Sequence, residues 1–141
     1  KTYQDIKKTL GTVPEFLRSF PQEGIAGAWN EMKSLQLNPN TDIPPKYKEL
    51  IGLAVAAQIP CRYCTYFHTQ AAKLNGATEH EIQETLAMAS QTTHWSGFIN
   101  GLQMDEQAFR KETDQIMKYL KTQMEASRRP AATQPGAGEG Q

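Results

Sequence analysis

Cys61-Arg62-Tyr63-Cys64-Thr65-Tyr66-Phe67-His68 holds both cysteines of the chain, spaced C-x-x-C, with a histidine four residues after the second. On a helix, positions 64 and 68 lie on one face about one turn apart. Cys61 stands a further turn back, close enough to Cys64 for a disulfide if the backbone allows it. Pro60 sets the stretch off from an apolar run ending at Ile59. A proline there suits the first position of a helix, where its missing N–H would have had no partner. The cysteines are therefore expected in a first helical turn, where free N–H groups and the dipole favour a thiolate. His68 would take a proton from Cys64 or stabilise its anion. Such a pair can do thiol–disulfide chemistry, one sulfur attacking and the other resolving the mixed species.

Other readings of the same residues stand beside this one. Free cysteines are often simply buried, as small hydrophobes. C-x-x-C-x-x-x-H also offers three zinc ligands, but a closed structural site takes four, and His80 or His94 would have to complete it from elsewhere. All three main ligands would come from one short helix, which crowds a tetrahedron. The expectation is no bound metal and no other cofactor.

Glu49 lies twelve residues before Cys61, among Leu50, Leu53 and Ala56. A carboxylate drawn into that apolar face would want a proton or a cationic partner. From there it could orient His68 or exchange a proton with Cys64. The plainer reading is an acidic residue favoured by the dipole in the first turns of a helix. Tyr63 and Tyr66 flank the dithiol, where a hydroxyl could donate to sulfur or peroxide, though such rings more often only pack. His94-Trp95 is a second polar–aromatic pair that could line the same pocket or an interface. His80, between Glu79 and Glu81, reads as surface.

The elements that must position these groups fit one chain of 141 residues, long enough for a hydrophobic core. Fifteen basic and fifteen acidic side chains give zero formal net charge. That argues against nucleic acid or an anionic membrane as the main partner. No run approaches the roughly 20 apolar residues of a bilayer span. No signal peptide is legible. The chain starts at Lys1 rather than Met, so a cytoplasmic address is only a working expectation. A disulfide between Cys61 and Cys64 closes too short a loop to staple a fold, so the spacing reads as redox or metal-binding rather than structural.

Residues 1–10 carry Tyr3, Ile6 and Leu10 on one helical face, ended by Gly11. Thr12, with Pro14 and Glu15, has the form of a capping box for a second short helix, and Pro21 closes it. Residues 22–37 read as one longer helix through Ile25, Ala28, Trp29, Met32, Leu35 and Gln36. A break at 38–43 precedes Pro44-Pro45. Residues 45–58 are apolar nearly all round and are expected at the centre of the fold. Residues 61–75 form the motif helix, stopped by Asn75-Gly76. Thr78 and Glu81 make another capping box, opening a helix over 79–90 that pairs with the motif helix as a hairpin. Helical limits near 92–101 are ill-defined, and a firm pattern returns over 105–120. From Ser127 the Pro/Gly-rich sequence has no periodicity and reads as a tail, leaving a domain over 1–126. The whole is all-α, with six or seven helices.

Glu49, Ile51-Gly52-Leu53-Ala54-Val55-Ala56, Cys61-x-x-Cys64-x-x-x-His68 and Gly76-Ala77-Thr78-x-x-Glu81-Ile82 together resemble the carboxymuconolactone decarboxylase-like superfamily, closest to its alkylhydroperoxidase AhpD-like branch. The likeness covers roughly residues 40–95 well and the flanks more loosely. It implies an AhpD-like all-α bundle with a central helical hairpin carrying the C-x-x-C motif, assembled as homotrimers or homohexamers. It implies reduction of a hydroperoxide by the dithiol, with electrons returned by a thiol or lipoyl-type reductant. Cys64 would be the peroxidatic sulfur and Cys61 the resolving one, with Glu49 and His68 in the proton relay. The best-known members carry a histidine where this chain has Tyr63, whose hydroxyl is a substitute candidate. The decarboxylase branch generally lacks the C-x-x-C pair, so lactone decarboxylation is a poor match. A protein thiol–disulfide oxidoreductase, a zinc module and a redox-sensitive structural protein are the competing functions.

Overall fold

A computed structural model describes residues 1–128. Among them are seven α-helices: α1 Thr2–Leu10, α2 Glu15–Arg18, α3 Ile25–Glu31, α4 Pro45–Gln58, α5 Arg62–Leu74, α6 Glu79–Leu102 and α7 Glu106–Arg128. A π-helical turn, Met32–Gln36, continues α3. The expected all-α class is what the chain adopts. Its contacts divide it into two compact units, Lys1–Trp95 and the part from Ser96 onward.

The first unit is built on two hydrophobic clusters. Ile6, Leu17, Ile25 and Trp29 are buried together, drawing α1, α2 and α3 into contact. Asp5 ties this side down at its edge by accepting from Trp29 Nε1 at 2.7 Å and Lys33 Nζ at 2.8 Å. Leu50 and Leu53 of α4, Ala72 of α5, Ala77 and Ile82 of α6 form the second cluster. Ile6 and Leu53 are fully buried, each such side chain contributing roughly 1.5–3 kcal/mol relative to exposure.

Several sequence expectations shift in detail. The Thr12–Glu15 box does not form. Helix α2 starts at Glu15 with Pro14 as its N-cap, so Glu15 is too early to reach back. Its carboxylate instead accepts from Arg18 Nη2 at 2.7 Å and Ser19 Oγ at 3.0 Å. The helix expected over 22–37 begins only at Ile25 and ends in the π turn. Pro60 precedes α5 rather than opening it. Cys61 is the N-cap, and its own N–H donates to Ala56 O at 2.8 Å, closing the end of α4. Helix α4 is not buried all round. Glu49, Leu50, Leu53 and Ala56 face inward, while Ile51 and Val55 are 52% and 54% exposed. Helix α6 runs unbroken through the region of ill-defined limits, the hydroxyls of Thr92 and Thr93 bonding back to the Met88 and Ala89 carbonyls.

The turn from α5 to α6 follows its sequence closely. Gly76 takes φ 87°, the left-handed conformation that glycine adopts without strain. The Thr78 box then closes both ways, Thr78 N donating to Glu81 Oε2 at 2.8 Å and Glu81 N donating to Thr78 Oγ1 at 3.0 Å. Lys46 of α4 adds an ion pair to Glu81 at 2.7 Å. The Lys46 ammonium, then the Thr78 N–H, hold the Glu81 carboxyl below its ordinary value of 4.5. A depressed carboxylate contributes stability that is complete above the ordinary value and lost as pH falls through the folded one. The thermal midpoint is therefore expected to drop below about pH 4.5, and the drop to be shallower in Glu81→Gln. Melting curves between pH 3 and 6 check this.

In the second unit, Asp105 Oδ1 accepts from Ala108 N at 2.8 Å and so caps α7. Phe109, Ile116, Leu120 and Met124 follow one another along α7 at helical spacing, each at least 40% exposed. The expected tail, apart from Ser127 and Arg128, lies outside the described residues. Among the described residues no helix is long and apolar enough to cross a membrane.

Candidate functional site

Helices α4 and α5 make the most extensive contact between elements, and the site lies along it. The end of α4 passes through Ile59 and Pro60 directly into the N-cap of α5. Cys61 and Cys64 are joined by a disulfide, their Cα atoms 5.3 Å apart. The backbone N–H of Cys64 donates to Cys61 Sγ at 3.1 Å. The first sulfur thus serves as the N-cap acceptor, the role an aspartate or serine oxygen fills in other helices.

One turn beyond Cys64, His68 meets Glu49. Nδ1 lies 2.7 Å from Glu49 Oε2, and the glutamate side chain is 4% exposed against 21% for the histidine. Glu49 is the one buried charged residue among those described. Burial of a carboxylate demands partners, and a second one is present. Gln36, on the π turn, donates Nε2 to Glu49 Oε1 at 3.1 Å and more loosely to Oε2 at 3.4 Å. Two further features complete the arrangement. A Cβ at Gly52 would stand 2.4–2.7 Å from atoms of the His68 ring, so the ring rests directly against the α4 backbone. Phe67 meets the His68 ring edge-on, centroids 5.5 Å apart.

Glu49 faces Nδ1, so the carboxylate accepts from this nitrogen whenever it carries a proton, and Nε2 is the ring nitrogen this ion pair leaves unengaged. The arrangement therefore offers a redox-capable sulfur pair at a helix start and, one turn further on, an imidazole oriented by a buried carboxylate.

Of the residues singled out in the sequence, Glu49 and His68 meet, and Cys61 and Cys64 are bonded. Tyr63 is 72% exposed. Its hydroxyl accepts from Arg62 Nη2 at 2.8 Å, and the Arg62 guanidinium sits 4.8 Å from its ring centre. Tyr66 borders a groove of about 440 Å³ beside Cys61, walled by Ala56, Ala57, Thr65 and Thr69. His80 is at the surface, 3.3 Å from Glu84. His94 and Trp95 are exposed, with their rings edge to face. The three zinc-spaced residues are otherwise engaged: each sulfur with the other, and His68 with Glu49.

Gln36 and Gly52 are the residues that sequence reasoning did not assign to the site. The glycine left a signal, since an interior helical glycine costs stability and usually marks a close approach. Gln36 left a fainter one, a lone amide among positions spaced for an apolar face.

The model of the carboxymuconolactone decarboxylase family matches residues 23–107. The crystal structure of the alkylhydroperoxidase AhpD core from Rhodospirillum rubrum is similar, with a TM-score of 0.68 and 26% identity over 77% of this chain and 82% of that one. No curated protein matches the chain. The family match spans more than half of the sequence. The chain belongs to the carboxymuconolactone decarboxylase family, with the AhpD-like fold and a redox-capable cysteine pair.

Proposed function

We propose that this protein is a thiol-dependent peroxidase that reduces hydrogen peroxide or alkyl hydroperoxides through Cys61 and Cys64. The observation that carries the reading is the disulfide at the start of α5 followed, one turn on, by an imidazole held by a buried carboxylate. The similar crystal structure is described as an alkylhydroperoxidase core, which supports the same chemistry.

In the proposed cycle the reduced Cys64 gives its proton to His68 Nε2, and Glu49 balances the imidazolium through Nδ1. The thiolate attacks the terminal peroxide oxygen. An S–O bond forms, the O–O bond breaks, and the leaving alkoxide or hydroxide takes the proton back from His68. Cys64 is then a sulfenic acid. Cys61 attacks its sulfur, the S–O bond breaks, and the expelled hydroxide leaves as water with the Cys61 proton. The half-reaction thus ends in a Cys61–Cys64 disulfide, a bond the two residues are placed to form. An external dithiol of the lipoyl type restores both thiols and is itself oxidised. Tyr63, exposed and accepting from Arg62, keeps its own O–H to donate in this cycle. No bound cofactor enters the cycle.

Assembly as a homotrimer or homohexamer is part of the proposal. Ile51 and Val55 of α4 and its C-cap residue Ile59 form an exposed apolar stripe, each more than half exposed, of the kind subunit contacts cover.

The groove beside Cys61 favours one second reading, exchange with a protein disulfide. The deciding experiment offers reduced protein hydrogen peroxide with dihydrolipoamide and, separately, insulin with the same reductant. Peroxide loss that vanishes when the thiols are first alkylated is the expected result. Insulin reduction without peroxide loss would reverse the assignment.

A further inference from the structure

The π turn exchanges two side chains. Leu35 is 60% exposed, while Gln36 is half-buried. Placing an amide inside in preference to a leucine runs against simple burial energetics, so the amide must be answering something. Its partner is Glu49. The turn is held in this register from both sides. Leu37 N donates to Met32 O at 3.0 Å, five residues back. Lys48, the residue before Glu49, donates Nζ to Leu35 O at 2.6 Å and to Asn38 O at 2.7 Å. Consecutive residues of α4 thus grip the end of the π turn, one by its carbonyls and one by the Gln36 side chain. π-Helical turns are frequent at functional sites.

We propose that Gln36 is a positioning residue for the dithiol chemistry. Its amide fixes the rotation of the Glu49 carboxylate so that Oε2 faces His68, and this holds the imidazole in the Nδ1–H tautomer with Nε2 free to exchange a proton. The consequence for turnover rests on the peroxidase reading above; the consequence for the imidazole does not. Glu49 takes its shorter bond from Gln36 at Oε1 and its bond to His68 at Oε2, with the same amide 3.4 Å from Oε2. Without the amide the carboxylate can turn about its last bond, and either ring nitrogen can then carry the proton.

The test uses the reduced full-length protein. Long-range ¹H–¹⁵N spectra of the His68 ring are compared between wild type and Gln36→Met, which keeps the side-chain length and removes the donor. Wild type should show the Nδ1–H pattern and Gln36→Met a mixture of both tautomers. In the peroxide assay kcat should fall on the order of tenfold with KM for peroxide unchanged, because a positioned proton-transfer group is disturbed while the substrate is held as before. Gln36→Glu carries the same test if Gln36→Met does not fold, since it places an acceptor where the donor was. An unaltered Nδ1–H pattern in the folded variant would overturn the proposal whatever the activity does. A tautomer mixture in the variant, with wild type inactive toward peroxide, would uphold Gln36 and refute the peroxidase.

Discussion

Cys64→Ser is expected to abolish peroxide reduction, with kcat/KM falling at least ~10³-fold, the scale on which loss of an attacking group is felt. Cys61→Ser should behave differently. Cys64 would still be oxidised once by peroxide, at a rate close to that of wild type, and would stop at the sulfenic acid. Multiple turnover would then fall on the order of tenfold, with an external thiol doing the resolving. Stopped-flow measurement of the first oxidation, with dimedone to trap the sulfenic acid, separates the two variants. The reasoning is positional. His68 stands four residues after Cys64 and seven after Cys61, so only Cys64 shares its helix face one turn away. A reversed ranking, with the first oxidation lost in Cys61→Ser and kept in Cys64→Ser, would show that Cys61 is the attacking sulfur.

Gly52→Ala is the second large effect. On an ordinary helix this change adds stability, by about 0.8–1 kcal/mol. Here the new methyl would lie within 2.4–2.7 Å of the His68 ring, far inside van der Waals contact. The ring is not free to swing away, because Glu49 of the same helix binds its Nδ1 at 2.7 Å. Relieving the overlap means moving His68 or parting α4 from α5, and overpacking of this kind costs about 1–3 kcal/mol. The clash should win. The thermal midpoint falls, and peroxide reduction falls about 10²-fold, as expected for a misplacement near 1 Å. Melting curves and steady-state kinetics together decide it. A variant that is more stable and fully active would show that the ring does not depend on resting against the α4 backbone.

These two residues illustrate what the sequence disclosed. The dithiol, His68 and the capping box at Thr78 were legible because each is written in local spacing, and local spacing is what a helix converts directly into geometry. Glu49 was legible as a candidate but not as a certainty. Periodicity placed it beside an apolar face without saying whether it turned inward; the partners that make burial tolerable, His68 and Gln36, lie nineteen and thirteen residues away. The π turn was not legible at all. One additional residue in a helical turn changes no composition and breaks no pattern, and within this turn Leu35 is exposed while Gln36 is half-buried. The capping box at Thr12 failed for a related reason, since a start displaced by a residue or two takes the box out of reach. The exposed Ile51 and Val55 on α4 mark the remaining gap. An apolar run does not say which of its side chains turn inward.

The sulfur that accepts the Cys64 N–H has a consequence for endurance. Its bond to Cys64 spans a sequence separation of only three, so the covalent ring constrains almost none of the rest of the chain. Opening it leaves a thiol or thiolate at the same helix start, still able to accept the same N–H. The polypeptide can therefore shuttle between its two electron inventories while the remaining architecture stands still, like a battery whose casing never flexes. Fatigue in such a catalyst would come from over-oxidised sulfur rather than from unfolding.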